Sequence, residues 1–220
     1  MSEQQGKAIK GRAVNSGKTH PQSTEGSSAL RHRLFIGIEL PSAVKLRIHK
    51  AVRPALLKIE KGKLTEPENY HLTVFFIGEV PPEEVSDWKA CVAEAAAVSQ
   101  NFELSLCHTG YFSRKNRKIL WFGSEDSAAL EALYKNVLSA VDSILLLQGK
   151  PEASAQPGAN KPFKPHITLG REVVAEDEAV KIRTEKIKLK VEALTLFESK
   201  RVSGKLAYVP IARFRLRERL

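Results

Sequence analysis

The sequence predicts an α+β fold: antiparallel strands and flanking helices in two pseudo-symmetric lobes around a central groove. Three observations carry that reading. Stretches that alternate polar and apolar residues, the mark of half-buried strands, are interleaved with stretches whose apolar residues recur at helical spacing. The connections between them are short, which permits antiparallel pairing and disfavours a doubly wound parallel sheet. One strand pattern occurs twice, as His71-Leu72-Thr73-Val74 and His166-Ile167-Thr168-Leu169, each time with a helix and further strands around it. Outside those strands the two halves share too little sequence to establish a repeat.

At 220 residues the chain can form one sizeable domain or two small lobes over a shared core. Residues 1–31, rich in Ser, Gly, Gln, Lys and Thr, bury too little apolar surface to offset ordering entropy and are expected to be a flexible basic arm. Residues 32–220 form the folded domain. A strand at 33–40 closes at Pro41, and Ser42 is placed to cap a helix whose stripe is Val44, Ile48 and Val52. Pro54 should end that helix near Val52 or Arg53. A polar connection leads to the first histidine strand, 69–77.

Pro81-Pro82-Glu83-Glu84 then starts a helix with Val85, Trp88, Val92 and Ala96 inward. A strand at 102–106, Tyr111-Phe112, a basic loop and a strand at 119–122 follow. Ser124-Glu125-Asp126 opens a helix with Leu130, Leu133, Val137, Val141 and Ile144 on one face. Residues 149–162 form a loop rich in proline and glycine, ahead of the second histidine strand. A short charged helix is expected near 176–183, then strands at 188–198 and 206–214 joined by a turn at Ser203-Gly204.

The formal charge of +10 points to a polyanionic partner, nucleic acid before an acidic membrane surface. Cys91 and Cys107 lack metal or redox spacing and read as buried structural residues. No apolar run reaches membrane-spanning length and no secretory leader precedes the fold, so a cytoplasmic protein is expected.

On a strand, side chains at i and i+2 share a face. His71 and Thr73 therefore point one way while Leu72 and Val74 point into the core; His166 and Thr168 do the same in the second copy. Two half-sites of imidazole and hydroxyl suggest a site formed across a cleft. A neutral imidazole can take a proton from an attacking water, and a protonated one can give a proton to a departing alkoxide. The hydroxyls can donate to non-bridging phosphate oxygens as charge grows there. Phosphodiester cleavage fits these parts. Zinc fits them poorly, because threonine is a weak ligand and neither motif contains a carboxylate or cysteine. Neither a Gly-x-Ser-x-Gly elbow nor a P-loop occurs.

The motifs and their surroundings resemble the 2H phosphoesterase superfamily, and within it the RNA 2′,3′-cyclic phosphodiesterases, also known as 2′-5′ RNA ligases. The resemblance runs through residues 33–41, Glu68-Asn69-Tyr70-His71-Leu72-Thr73, Phe76-Ile77-Gly78, Ile119-Leu120-Trp121-Phe122-Gly123, residues 162–171 and Leu196-Phe197-Glu198-Ser199. It implies hydrolysis of an RNA 2′,3′-cyclic phosphate end to a 2′-phosphomonoester. Apart from the resemblance, the parts call for no metal or cofactor, and a monomer without an obligate protein partner is expected. His71 would be the proton donor and His166 the proton acceptor, with Thr73 and Thr168 holding the phosphate. Around them, Arg114, Lys115, Arg117, Lys161, Lys164 and Arg171 could steer the RNA backbone by charge, and Phe35 or Phe112 could stack on the terminal base. Lys161 stands where an arginine is usual, which keeps the charge but loses the planar, bidentate grip on phosphate. The same four motif residues would also serve a small cyclic nucleotide, a 2′-5′-linked oligonucleotide, or an RNA-end-binding module without turnover.

Overall fold

The computed structural model describes residues 30–151 and 163–218. The arm expected at 1–31 falls almost entirely outside them, as does Lys161. The chain forms β1 (His32–Glu39), α1 (Ser42–Leu56), β2 (Lys61–Leu64), β3 (His71–Val80), α2 (Val85–Ala97), β4 (Phe102–Arg114) and β5 (Arg117–Ser124). After these come α3 (Ala128–Leu147), β6 (His166–Val174), β7 (Arg183–Val191), β8 (Ala193–Val202) and β9 (Lys205–Arg215). The strands join in one nine-stranded sheet, ordered β7-β4-β5-β6-β3-β1-β8-β9, with β2 paired to β6.

The two expected lobes are the halves of this sheet, one running from β7 to β6 and the other from β3 to β9. They meet where the two histidine strands pair directly, antiparallel, through the single register pair Leu72↔Ile167. The seam between the halves is therefore a single register pair wide.

The helices share one face of the sheet. Leu34, Ile36 and Ile38 of β1, Leu72 and Val74 of β3, and Ile167 and Leu169 of β6 point into a single core beneath them. The stripes read from the sequence on α2 and α3 are buried there, with Ala140 and Leu145 added on α3. α2 and α3 pack on each other over the β3–β9 half, while α1 lies against β7. Cys91 and Cys107 are buried thiols.

Local departures from the sequence reading have physical causes. α1 runs through Pro54, because in its last turn the missing N–H costs a single bond and the helix ends at Leu56. Its first turn is held by the Pro41 carbonyl, which accepts from the N–H of Val44 and Lys45, so Ser42 is not the cap. α3 is capped by Ser127, whose Oγ accepts from the Leu130 N–H at 3.2 Å, three residues after the expected start. β4 is one long strand with a bulge between Leu106 and His108. The helix expected at 176–183 is only a 3₁₀ turn, Glu178–Val180.

The strand expected at 188–198 breaks at Glu192 into β7 and β8, which lie in different halves of the sheet. The slip shows in which residues join the central core, Leu189 and Val191 before the break and Leu194 and Leu196 after it, although β8 is buried on both faces from Ala193 to Glu198. β2, exposed along its whole length, has no apolar alternation to announce it.

Candidate active site

The pair Leu72↔Ile167 sets the geometry of the site. In an antiparallel register it puts His71 beside Thr168 and Thr73 beside His166. All four side chains then leave the sheet on the face away from the helices. The half-sites predicted from the two motifs are thus brought together on adjacent strands.

Each imidazole is oriented by its own strand. His71 Nδ1 lies 2.8 Å from the carbonyl oxygen of Asn69, and His166 Nδ1 lies 2.7 Å from that of Lys164. A carbonyl only accepts, so both Nδ1 atoms carry hydrogen and both neutral rings present Nε2 as a lone pair. The same i−2 carbonyl fixes the same tautomer in both halves. Nε2 of His71 is 3.0 Å from Thr73 Oγ1, and the threonine hydroxyl donates to it while the ring is neutral.

Aromatic walls complete the setting. His71 rests against Phe35, with ring centroids 4.8 Å apart, and meets the edge of Tyr208 at 4.6 Å. His166 meets Phe112 edge-on at 4.9 Å. Asn69 ties the β8–β9 hairpin to the first half-site, because Nδ2 donates to the Leu206 carbonyl at 2.9 Å and Oδ1 accepts from the Tyr208 N–H at 3.2 Å.

Burial pushes the His71 pKa down to about 4, helped by the positive charges of Lys45, His166 and Arg171 and opposed by the Asn69 carbonyl. Burial also lowers His166, with Arg171 adding to the effect and the Lys164 carbonyl resisting it. Both rings are therefore neutral at neutral pH.

Of the other residues singled out, Arg171 is exposed, and its charge reaches both histidines. Lys164 contributes its carbonyl, and its exposed side chain borders a pocket beside His166. Arg114, Lys115 and Arg117 form the exposed tip of the β4–β5 hairpin, beyond Phe112, away from the four-residue cluster. Phe112 supports the His166 ring. The stacking role expected for Phe35 is corrected: it is 2 % exposed, stacked on Phe197 at 4.9 Å, and offers no open face to a base.

Sequence reasoning missed Lys45, Tyr208 and Trp121. Lys45 carried a signal, since a cation in the first turn of a helix, with no acid there, opposes the helix dipole. Its Nζ donates to the Glu68 carbonyl at 2.5 Å, beside the first motif.

A family profile described as the 2′-5′ RNA ligase superfamily matches residues 40–202. The chain belongs to that superfamily. A Thermus thermophilus protein named RNA 2′,3′-cyclic phosphodiesterase is 34% identical over 142 residues, covering 63% of this chain and 68% of the relative. An Escherichia coli protein of the same name is 29% identical over 187 residues, 84% of this chain and 96% of that one. Among solved structures, one of a Thermus thermophilus protein superposes with a TM-score of 0.68 at 29% identity, over 84% of this chain and 98% of its own. E. coli LigT in complex with NADP+ gives 0.61 at 26% identity, over 85% and 99%. The antiparallel sheet with its three helices is thus the fold shared with these solved structures. No helix among the described residues is long and apolar enough to cross a membrane.

Proposed function

We propose that this superfamily member hydrolyses RNA 2′,3′-cyclic phosphate ends to 2′-phosphomonoesters by acid–base catalysis between His71 and His166. The observation that carries this reading is the matched pair of Nδ1-anchored imidazoles on adjacent strands, each with a threonine hydroxyl beside it. The relatives from Thermus and E. coli are named for the same 2′,3′-cyclic phosphodiester.

In the step, a water oxygen attacks phosphorus and His166 Nε2 takes its proton. The P–O3′ bond breaks, and His71 Nε2–H protonates the departing 3′ oxygen. The product carries a 2′-phosphate and a 3′-hydroxyl, and the two rings return to their starting protonation by exchange with solvent. Thr73 and Thr168 donate to the non-bridging oxygens. The Thr73 hydroxyl is released for this when His71 becomes protonated and its Nε2 ceases to accept. Arg171 adds positive charge where the phosphorane gathers negative charge.

End-group analysis of a short RNA carrying a 2′,3′-cyclic phosphate, incubated with the protein in excess chelator, tests the reading. A 2′-phosphate product supports it, and a 3′-phosphate or an intact end rejects it. The pH dependence is a second test. Turnover needs one ring protonated and one neutral, whereas burial favours the neutral form of both at pH 7. kcat/KM, which reports the free protein, is therefore expected to be bell-shaped, with its acid limb near pH 4 and its alkaline limb below the ordinary histidine value of 6.5. The bound phosphodiester anion favours the imidazolium, so the kcat profile should lie at higher pH. Coincident profiles centred above neutrality would contradict the pKa directions.

A further inference from the structure

We infer that the groove continues past His166 as a track for the nucleotides upstream of the cyclic end, with Trp121 as a stacking floor and Arg183 as a phosphate contact. The inference rests on the hydrolase reading, since it places the rest of the RNA relative to the reacting end.

The track is a straight row across four strands. His166 pairs with Gly123, Gly123 with His108, and His108 with Arg183. Residues directly opposed in antiparallel strands point to the same face, so the row runs from the motif histidine to the edge strand β7 along the groove side. At about 4.8 Å per strand spacing it spans roughly 14 Å.

Trp121 fills the gap that glycine leaves in this row. A Cβ on Gly110 would come within 2.4 Å of the indole, and one on Gly123 within 2.8 Å. The ring thus lies over the backbone of β4 and β5, with one face against the sheet and the other toward the groove. His108 stands perpendicular to it at 5.6 Å and Phe112 tilts against it at 5.5 Å. An aromatic floor between walls suits an unstacked base of a single strand.

Hollows flank the indole, one of about 250 Å³ reaching His166 and Phe163, and one of about 550 Å³ reaching Lys181 and Arg183. On the opposite flank Phe35 and Phe197 are buried against each other behind His71 and offer no open aromatic face. The chain's 5′ continuation therefore has its open route over β5, β4 and β7.

Two features hold the far end of the row. The β4 bulge after Leu106 switches the alternation, so that His108, Gly110 and Phe112 take the groove side while Thr109 is buried. Thr109 Oγ1 donates to the Val180 carbonyl at 2.6 Å and accepts from the Ile182 N–H at 2.8 Å. That clamp seats Arg183 beside His108. Cations along an edge strand commonly just block edge pairing, and here Lys181, Lys186 and Lys188 are each engaged by a glutamate. Arg183 makes no ion pair among the described residues, and it alone continues the row.

The test compares a cyclic mononucleotide with a tetranucleotide bearing the same cyclic end. In the unmodified protein kcat/KM is expected to rise with length. Arg183→Glu should cut the tetranucleotide-to-mononucleotide ratio about tenfold and flatten the tetranucleotide's log–log salt slope by about 0.7. A ratio unchanged by Arg183→Glu overturns the track. Binding without turnover is read by indole quenching with a tetranucleotide ending in a 2′-phosphate. Trp121→Phe should abolish the quench, since Trp88, on the buried face of α2, is only 3% exposed. Arg183-dependent quenching without turnover of any cyclic end would leave the track standing and reject the hydrolase reading. Turnover indifferent to Arg183 would reject the track alone.

Discussion

His166→Ala is expected to lower turnover of a cyclic-phosphate-ended RNA by about 10²- to 10⁴-fold, the range that a positioned acid or base supplies. The fold should survive, because the His166 side chain lies on the groove face, outside the core, and loses only the Lys164 carbonyl and the edge of Phe112. His71 is packed between Phe35 and Tyr208, so His71→Asn, closer to it in shape than alanine, is the cleaner companion variant. It should lose activity to a similar degree. The double variant should be scarcely worse than either single one, since a base without its acid has little left to contribute. Single-turnover rates measured beside melting temperatures provide the check. A loss under tenfold with an unchanged melting temperature would remove the imidazole from the chemistry.

The motif strands were legible because two-residue periodicity assigns a face to each side chain, and the face is what the site requires. What periodicity does not assign is the partner strand. His71-x-Thr73 and His166-x-Thr168 could be read as two half-sites, but not as neighbours paired through Leu72 and Ile167. For the same reason the sequence left Phe35 open between a stacking and a core role. Phe35 lies on the groove face of β1, yet it is covered by Phe197 and Tyr208, which arrive from the far end of the chain.

Asn69 reaches 137 residues along the chain to Leu206, and no local pattern encodes that bond. Where burial changed parity the signal was present in the sequence, as at Glu192 and in the bulge before His108. Reading it required giving up the assumption that an alternating stretch is one unbroken strand. Ser42 and Ser127 show how a cap shifts: several residues could satisfy the first-turn N–H groups, and packing of the apolar stripe chose among them.

The division of labour between the histidines should emerge from the leaving group. Replacing the bridging 3′ oxygen of the cyclic phosphate by sulfur makes the departing group a thiolate, whose conjugate acid has a pKa of about 8.5, against about 15.7 for water as a stand-in for an alcohol. Such a group leaves without being protonated. His71→Asn, crippled on the oxygen substrate, should then recover to within about tenfold of the unmodified protein on the sulfur one, whereas His166→Ala should stay impaired on both, because the attacking water still has to lose a proton. The experiment has force because the burial of His71 favours the opposite assignment. His71 is pushed down to about 4 and is a poor holder of the proton it must donate. The acid must therefore be made in the complex, by the phosphate anion arriving beside a ring already flanked by Lys45 and Arg171. Sulfur rescue of His166→Ala in place of the His71 variant would reverse the roles, and rescue of neither would mean that protonation of the 3′ oxygen is not what these rings supply.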